Sequence, residues 1–265
     1  MSKQEETRFN PFGARPHKST KIKHIIAVAS GKGGVGKSMV TGLLATAAMQ
    51  SGFSVGILDA DVTGPSIGKM FNIHEKARGT DEGMLPIQSK EGISIISANM
   101  LLETDDTPIV WRGPMIANAV KEFYTKVLWQ ELDILFLDTP PGTGDVPLTV
   151  FQSLPIDGII VVTTPQDLVS MVVSKTVKMA EQMNIKVLGL IENMAWMKCP
   201  HCDEKVYPFG EGRTTSLIQD YDIELLASLA IDPELTKASD EGQVDQIVNK
   251  ELQKTIKDLI FKLED

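Results

Sequence analysis

Cysteine and long apolar runs are scarce in this sequence. Only two of its 265 residues are cysteine, and no uninterrupted apolar run approaches the roughly 18 residues that a membrane-spanning helix requires. The N-terminus is polar and contains Pro11, Gly13 and Pro16, so it does not match the apolar core of an export signal. We therefore predict a cytoplasmic protein without a membrane partner, in which thiols stay reduced.

Positive charge is also scarce outside the first residues. Residues 1–24 carry a net charge of +4, whereas the whole chain carries −9, which leaves −13 on the remainder. Such an acidic body disfavours nucleic acid as the main partner. We interpret residues 1–22 as a flexible basic arm, with contact to an anionic partner as the alternative. Residues 23–265 are interpreted as one domain, because their length and apolar content suffice for one large core.

Apolar, β-rich runs alternate along the chain with stretches of helical periodicity. This alternation predicts an α/β fold, a doubly wound parallel sheet with helices on both faces. The predicted strands are Ile25–Ala29, Val55–Leu58, Ile93–Ser97, Ile134–Leu137, Gly158–Val162, Lys186–Ile191 and Leu225–Ala230. The predicted helices include Met115–Trp129, Leu168–Met183 and Val244–Leu263. Residues 84–88 are predicted to form a hairpin with Ile93–Ser97.

A glycine-rich segment, SGKGGVGKS at residues 30–38, joins the first predicted strand to a helical stretch. It fits the pattern G-x-x-x-x-G-K-S of a phosphate-binding loop, in which backbone N–H groups and a helix N-terminus bind phosphate oxygens. Lys37 is predicted to reach the β- and γ-phosphates of ATP, and Ser38 to coordinate Mg²⁺. The rest of the phosphate-binding backbone is predicted to be Gly31, Lys32, Gly33, Gly34, Val35 and Gly36. The loop and the alternation together predict a P-loop NTPase.

Acidic residues follow two of the apolar strands. Because open α/β sheets bind ligands at the strand ends, Asp59 and Asp61 are predicted to project into the nucleotide crevice, and Asp138 ends a further strand at the same edge. An acid that ends so apolar a strand needs a cation or hydrogen bonds, so Asp138 is predicted to hold Mg²⁺ through water. Residues 139–145, TPPGTGD, are predicted to be a switch that senses the γ-phosphate. The alternative is that Asp59 and Asp61 cap a loop or the helix near Pro65.

A second lysine, Lys32, lies inside the loop. The segment KGGVGKS resembles the deviant Walker A motif of the MinD/ParA/nitrogenase iron protein class. The resemblance implies that Lys32 reaches across a homodimer to the partner's nucleotide and stabilises the γ-phosphoryl transition state like an arginine finger. It also implies that Asp59 lies near the metal and that Asp61 positions or activates the hydrolytic water. An exposed lysine on a solvated loop is the alternative for Lys32.

Five segments resemble the Mrp family, also called ApbC or Nbp-type, of iron–sulfur cluster carrier ATPases. They are SGKGGVGKS at 30–38, DADVTGPSI at 59–67, VWRGPM at 110–115, LDTPPGTGDVPLT at 137–149, and ENMAWMKCPHC followed by FGEG between 192 and 212. The resemblance implies ATP hydrolysis coupled to transfer of a cluster to apo-proteins, with assembly factors as further partners. It also implies that Asn193 contacts the adenine edge, for which a loop-capping amide is the alternative.

Both cysteines lie in one C-x-x-C motif, Cys199 and Cys202, within a loop at about 194–211. This spacing lets two thiolates converge on one metal centre. Two ligands complete neither a [4Fe–4S] cluster nor a tetrahedral zinc site, so a full site requires a second copy of the chain. We therefore predict a homodimer that bridges a [4Fe–4S] cluster. The alternatives are a structural zinc with His201 as a conceivable ligand, a redox dithiol, or two free thiols.

Two other functions remain open from the sequence. One is a positioning ATPase like MinD and ParA, which share the glycine-rich loop but lack the C-x-x-C. The other is an ATPase with a structural zinc site and an unrelated client.

Overall fold

A nine-stranded, mostly parallel sheet forms the centre of the part of the chain that the computed structural model describes, which is residues 14–61, 64–97, 100, 113–166, 168–210 and 214–264. The strands are β1 (Lys21–Ala29), β2 (Val55–Asp59), β3 (Arg78–Gly79), β4 (Met84–Leu85), β5 (Ile87–Gln88), β6 (Ser94–Ser97), β7 (Glu131–Asp138), β8 (Gly158–Thr163), β9 (Val187–Lys198), β10 (Lys205–Val206) and β11 (Leu225–Ala230). The helices are α1 (Lys37–Gln50), α2 (Ile67–Met70), α3 (Gly113–Lys126), α4 (Asp145–Ser153), α5 (Leu168–Gln182), α6 (Thr214–Tyr221), α7 (Pro233–Asp240) and α8 (Lys250–Glu264), with a 3₁₀ turn at Val244–Gln246.

The sheet has the strand order β10-β9-β8-β1-β7-β2-β6-β5, and β11 also pairs with β9. All pairs from β6 through β2, β7, β1 and β8 to β9 and β11 are parallel. Strands β5 and β10 pair in the antiparallel direction with β6 and β9. Strands β3 and β4 form a separate two-stranded sheet. The predicted doubly wound α/β fold is therefore confirmed.

The central strands are apolar throughout because helices cover both faces of the sheet. On β1, Ile25 and Ala27 belong to one hydrophobic cluster, which also includes side chains of α3, α4 and α5. The alternate residues Ile26 and Val28 belong to a second cluster, which includes side chains of α1 and α8. Alternate side chains of a strand point to opposite faces, so a strand buried on both faces needs an unbroken apolar run.

Among the predicted elements, β9 and the last helix differ most from the structure at their ends. Strand β9 continues past Ile191 to Lys198, because it gains the partners β11 and β10 in this region. The helix predicted over Val244–Leu263 is divided, and α8 begins only at Lys250. Asn249 stops the helix from extending backwards, since its side-chain oxygen accepts the N–H of Leu252 at 3.0 Å as an N-cap. Of the hairpin predicted for residues 84–88 with Ile93–Ser97, only Ile87 and Gln88 pair with β6, whereas Met84 and Leu85 pair with β3 in the separate sheet.

Part of the segment predicted to be an N-terminal arm packs on the domain. Ala14 is buried, and its N–H donates to the carbonyl of Ser153 at 2.7 Å. Strand β1 begins at Lys21, inside the predicted arm, and pairs there with Glu131. The domain therefore includes residues 14–22, and residues 1–13 lie outside the described part of the chain.

Candidate nucleotide site and cysteine hairpin

The predicted phosphate-binding loop connects the central strand β1 to helix α1. Gly34 and Gly36 have positive φ angles of 83° and 79°, a conformation that disfavours residues with a side chain. The N–H of Gly142, from the predicted switch segment, donates to the carbonyl of Ser30 at 2.8 Å. Thr139 of the same segment donates its hydroxyl to the carbonyl of Val28 at 2.9 Å. The predicted switch therefore contacts both the loop and the strand before it.

A cavity of about 410 Å³ opens beside this loop, at the carboxyl ends of the strands. This volume lies in the usual range for small-molecule sites. Its walls come from the loop, from the segment just after β2, from the predicted switch, and from helices α1, α2 and α7. The lining residues are Ser30, Gly33, Gly34, Val35, Gly36, Lys37, Ser38, Met39, Asp61, Ser66, Lys69, Met70, Pro141, Ser239 and Asp240.

Asp138 lies at the centre of a buried network of donors from helix α1. Its carboxylate oxygen Oδ1 accepts the Lys37 ammonium at 2.7 Å and the Thr41 hydroxyl at 2.8 Å. Its other oxygen, Oδ2, accepts the Ser38 hydroxyl at 2.6 Å. Asp138 is completely buried, so these charge-assisted hydrogen bonds compensate the loss of water. The structure thus brings together the predicted residues Lys37, Ser38 and Asp138.

The sheet register places Asp59 between two polar neighbours. Asp59 pairs with Asp138 of β7 on one side and with Ser97 of β6 on the other. The Ser97 hydroxyl donates to Asp59 Oδ2 at 2.9 Å, and the N–H of Asp61 donates to Oδ1 at 3.1 Å. Burial, followed by the nearby Asp138 carboxylate, raises the pKa of Asp59 to about 8, although Lys37 and Ser97 oppose the shift. Asp59 therefore lies next to the network and is fully shielded from solvent.

Asp61 lines the cavity, whereas Asp59 is fully buried beside it, so the prediction that both carboxylates project into the crevice holds only for Asp61. Its carboxylate oxygen Oδ2 lies 3.9 Å from the Lys37 ammonium, and its side chain is only 14% exposed. Lys32 lies apart from this group: it is exposed, and its ammonium donates to the side-chain oxygen of Gln166 at 3.2 Å. The single chain therefore assembles Lys37, Ser38, Asp61 and Asp138 but leaves Lys32 at the surface.

The donor set fits Mg²⁺. Mg²⁺ prefers oxygen ligands; Ser38 lines the cavity, and its hydroxyl lies 2.6 Å from the carboxylate of Asp138, which is buried next to it. Two residues of this site, Thr41 and Ser97, were not among the predicted site residues. Thr41 lies one helical turn after Lys37, and Ser97 ends a predicted strand, so their spacing in the sequence was the available signal.

The side chain of Asn193 contacts the phosphate-binding loop. Its side-chain N–H donates to the carbonyl of Val35 at 2.9 Å, and the residue is 7% exposed. The same nitrogen lies so close to Gly36 that a Cβ atom there would be 2.3 Å away. Met194, the next residue, has a positive φ of 56°. The amide thus braces the loop, and its contact with adenine stays a prediction.

The two cysteines lie at the tip of a hairpin that β9 and β10 form. Lys198 pairs with Lys205, and beyond this pair the N–H of Cys199 donates to the carbonyl of Glu204 at 2.9 Å. The N–H of Asp203, at a positive φ of 62°, donates back to the carbonyl of Cys199 at 3.1 Å. Cys199 is half-buried and Cys202 is exposed. Both thiols are therefore accessible from outside the domain.

The hairpin favours a thiolate at Cys199. Backbone N–H groups of His201 and then of Cys202 donate to the Cys199 sulfur and lower the pKa of its thiol, and the side chain of Cys202 acts in the same direction. No group of three or more His, Cys, Asp or Glu side chains within the described ranges is arranged to hold a metal ion. His201 therefore does not complete a three-ligand site with the cysteines in one chain.

Several predicted segments extend beyond the described residues. The segments at 59–67, 110–115 and 192–212 each include positions, 62–63, 110–112 and 211–212, of which the structure gives no description. Among the helices of the described ranges, none is long and apolar enough to cross a membrane.

Comparisons with known proteins agree with this geometry. An iron–sulfur cluster carrier protein of Clostridium perfringens is 43% identical over 235 residues, which are 86% of this chain and 82% of that protein. The structure of a nucleotide-binding protein from Archaeoglobus fulgidus in complex with ADP is 45% identical and has a TM-score of 0.78, over 87% of this chain and 90% of that one. The cell division ATPase MinD of Pyrococcus furiosus, at 17% identity, has a TM-score of 0.63 over 91% and 98% of the two chains, which is a likeness in fold alone.

The family follows from the extent of these matches. A family model described as ParA: NUBPL iron-transfer P-loop NTPase matches residues 21–264. The predicted resemblance to iron–sulfur cluster carrier ATPases is confirmed, because relatives of that name match most of the chain at more than 40% identity. The chain therefore belongs to the ParA-type family of NUBPL iron-transfer P-loop NTPases.

Proposed function

We propose that this chain hydrolyses ATP with Mg²⁺, assembles a [4Fe–4S] cluster between two copies of itself in the cytoplasm, and transfers the cluster to apo-proteins, with assembly factors as further partners. One observation carries the proposal. Strand β9 contacts the phosphate-binding loop through Asn193 and leads directly into Cys199. Nucleotide site and cysteine hairpin thus share one strand of the central sheet, so a change at the loop has a short path to the thiols.

The nucleotide step assigns a role to each residue around the cavity. The backbone of residues 31–36 binds the phosphates, and Lys37 moves its ammonium onto the β- and γ-phosphates. Ser38 and Asp138 would hold Mg²⁺, which would neutralise phosphate charge. Asp61 lines the cavity beside Lys37 and orients the attacking water. Lys32, exposed in one chain, contacts the nucleotide of a second copy.

The cluster is the cargo of this protein, and its binding requires two chains. Each hairpin offers two thiols, whereas a [4Fe–4S] cluster needs four ligands. The pKa of the Cys199 thiol is lowered by backbone N–H donors, which favours the thiolate that iron binds. The relatives named iron–sulfur cluster carrier proteins support this cargo over a structural zinc.

Reconstitution with metal tests the cargo. Protein incubated anaerobically with iron and sulfide is expected to hold about two iron and two sulfide per chain and to form a dimer. The double variant Cys199→Ala/Cys202→Ala is expected to lose the bound iron and sulfide. His201→Ala is the matched control, because it changes an exposed side chain in the same tip and leaves both thiols in place. Zinc at about half an atom per chain, with no bound sulfide, would instead make the hairpin a structural clamp.

Coupling is tested with a Lys37→Ala variant. Once loss of nucleotide binding is verified, this variant is expected to bind cluster but to transfer it poorly to an apo [4Fe–4S] enzyme. Transfer at the wild-type level, in cells as well as with purified proteins, would contradict the coupling. Cluster binding itself would then remain established by the reconstitution.

The fold likeness to MinD makes a positioning ATPase the alternative function. Helix α8 weighs against it, since Leu252, Ile256 and Leu259 are buried in the domain. Residues 250–265 also carry four lysines and four acidic residues, so they have no excess positive charge for anionic lipid. ATP-dependent sedimentation with anionic liposomes or DNA would favour the alternative.

A further inference from the structure

Thr41 is a buried hydroxyl that faces the nucleotide site from helix α1. It lies four residues after Lys37 and is completely buried. Its hydroxyl oxygen is 2.8 Å from Asp138 Oδ1 and 3.0 Å from the carbonyl oxygen of Lys37. A hydroxyl has one proton to donate, and the carboxylate is both the nearer and the charged acceptor. The Thr41 hydroxyl therefore donates its hydrogen bond to the carboxylate of Asp138.

The two oxygens of Asp138 have different partners. Oδ1 is held by Thr41 and Lys37, whereas Oδ2 is held by Ser38, the predicted ligand of Mg²⁺. The proposed nucleotide step moves the Lys37 ammonium from Oδ1, which it now contacts at 2.7 Å, to the phosphates. When Lys37 leaves, the Thr41 hydroxyl still holds Oδ1, because it is attached to the rigid first turns of α1.

We propose that Thr41 is a positioning residue for the magnesium-bound state: it fixes Oδ1 of Asp138 and so keeps Oδ2 directed at Ser38 after Lys37 has moved to the phosphates. The inference rests on the proposed binding of ATP with Mg²⁺. Outer partners of this kind orient metal-binding carboxylates, and their loss typically weakens metal affinity by roughly 10- to 100-fold.

The test separates magnesium from nucleotide. Thr41→Val keeps the shape of the side chain but removes the donor, and Thr41→Ser keeps the donor. ADP affinity is measured by calorimetry in EDTA and across a magnesium titration, together with the thermal midpoint of each protein. For T41V we expect the magnesium concentration at half effect to rise roughly 10-fold, with ADP affinity in EDTA within about twofold of wild type. T41S is expected to restore the wild-type value.

Thr46 provides the matched control on the same helix. It is equally buried, and its hydroxyl donates to the carbonyl of Val244 at 3.3 Å, away from the nucleotide site. Thr46→Val should lower the thermal midpoint through the lost hydrogen bond without shifting the magnesium dependence. If T41V does not fold, Thr41→Ala is measured in its place with the same expectation.

Four results would overturn the inference. An unchanged magnesium half-point in T41V would mean that Thr41 does not position Asp138. An equal loss of ADP affinity with and without magnesium, or an equal magnesium shift in T46V, would mean a general structural effect. If wild type itself binds ADP without any influence of magnesium, the proposed nucleotide chemistry fails together with the inference, and the wild-type titration alone reveals that case.

Discussion

At the scale of single residues, the nucleotide site is dominated by buried charge. Asp59 and Asp138 are both fully buried and lie side by side on neighbouring strands, with one ammonium, that of Lys37, close to them. The single positive charge of Lys37 does not offset the negative charge of two buried carboxylates. Burial, followed by the charge of Asp138, therefore raises the pKa of Asp59 to about 8. This imbalance has a measurable consequence for stability.

The first prediction concerns the pH dependence of folding. Because the pKa of Asp59 is about 8 in the folded protein and 3.8 in its ordinary state, the folded chain keeps a proton that the unfolded chain releases. The stabilising contribution of this proton is full below the ordinary pKa and is lost as the pH rises through the folded one. The free energy of unfolding of wild type should therefore fall, relative to Asp59→Asn, as the pH rises between these two values.

Urea denaturation without magnesium, at a series of pH values, measures this difference. Ser97→Ala serves as a control, because it retains the titrating carboxyl and should retain the slope. Parallel curves for wild type and Asp59→Asn would show that Asp59 does not carry the proton.

The second prediction concerns the two glycines with positive φ in the loop. Gly34→Ala introduces only backbone strain, since nothing lies within 4 Å of the new Cβ, and should cost about 1–2 kcal/mol. Gly36→Ala adds a contact of 2.3 Å with the Asn193 amide and should cost about a further 1–3 kcal/mol. Urea denaturation gives both values. The double variant Gly36→Ala/Asn193→Ala should lose less free energy of unfolding than the sum of the losses in the two single variants. Equal losses in Gly34→Ala and Gly36→Ala would show that Asn193 does not press against Gly36.

At the scale of elements, strand β9 is the one that joins the two candidate sites. Its first half pairs with β8 and β11 inside the sheet, and its last residues pair with β10 in the cysteine hairpin. The hairpin is further fixed by an ion pair between Lys198 and Asp203 at 2.9 Å. The ammonium of Lys205 also lies 4.2 Å from the centroid of the Trp196 ring, a favourable cation–π distance. The tip therefore has a defined shape before any metal binds.

The third prediction follows from that shape. Because backbone N–H groups of the tip donate to the Cys199 sulfur, the pKa of this thiol is lowered only while the hairpin is folded. In Cys202→Ser, the rate of Cys199 alkylation by iodoacetamide is measured as a function of pH. Its midpoint should lie at a pH below the ordinary thiol pKa of about 8.5. The same variant in denaturing urea is the reference. Coinciding midpoints in the folded and unfolded protein would exclude the proposed effect of the backbone.

At the scale of the whole molecule, the proposed function requires a second chain at both candidate sites. The hairpin offers two thiols, and Lys32 points its ammonium at Gln166 on the surface rather than at the network around Asp138. The proposed homodimer would complete both sites at once. The two requirements are independent of each other, so hydrolysis and cluster binding should each report on dimerisation.

The fourth prediction uses mixed dimers. Lys32→Ala and Lys37→Ala should each lose most ATPase activity, Lys32→Ala by about 10³-fold or more if it acts as an arginine finger does. A mixture of the two should exceed the sum of the separate activities, because one site of the heterodimer has its own Lys37 and receives Lys32 from its partner. Mixing Lys32→Ala with Lys32→Ala/Lys37→Ala is the control without that gain. Activity equal to the sum would show that Lys32 does not act across the dimer.

The sequence by itself determined the fold class, the phosphate-binding loop and the location of the thiols. Unbroken apolar runs are required where a strand is buried on both faces, and glycine is favoured where φ is positive, so Ile25–Ala29, Gly34 and Gly36 were recognisable without a structure. Features of this kind depend only on residues that are neighbours in the chain. The same holds for Cys199 and Cys202, which are close in space because they are close in the chain.

Only the tertiary structure decided which distant residues meet. The parallel register places Ser97 and Asp138 on either side of Asp59, and the packing of α1 on the sheet brings Thr41 to Asp138, 97 positions away. The extension of β9 likewise depends on β11 and β10, and the contact of Asn193 with Val35 depends on that strand passing beneath the loop. No local pattern encodes these contacts, because they arise from the spatial order of the strands in the sheet and from the burial of both its faces.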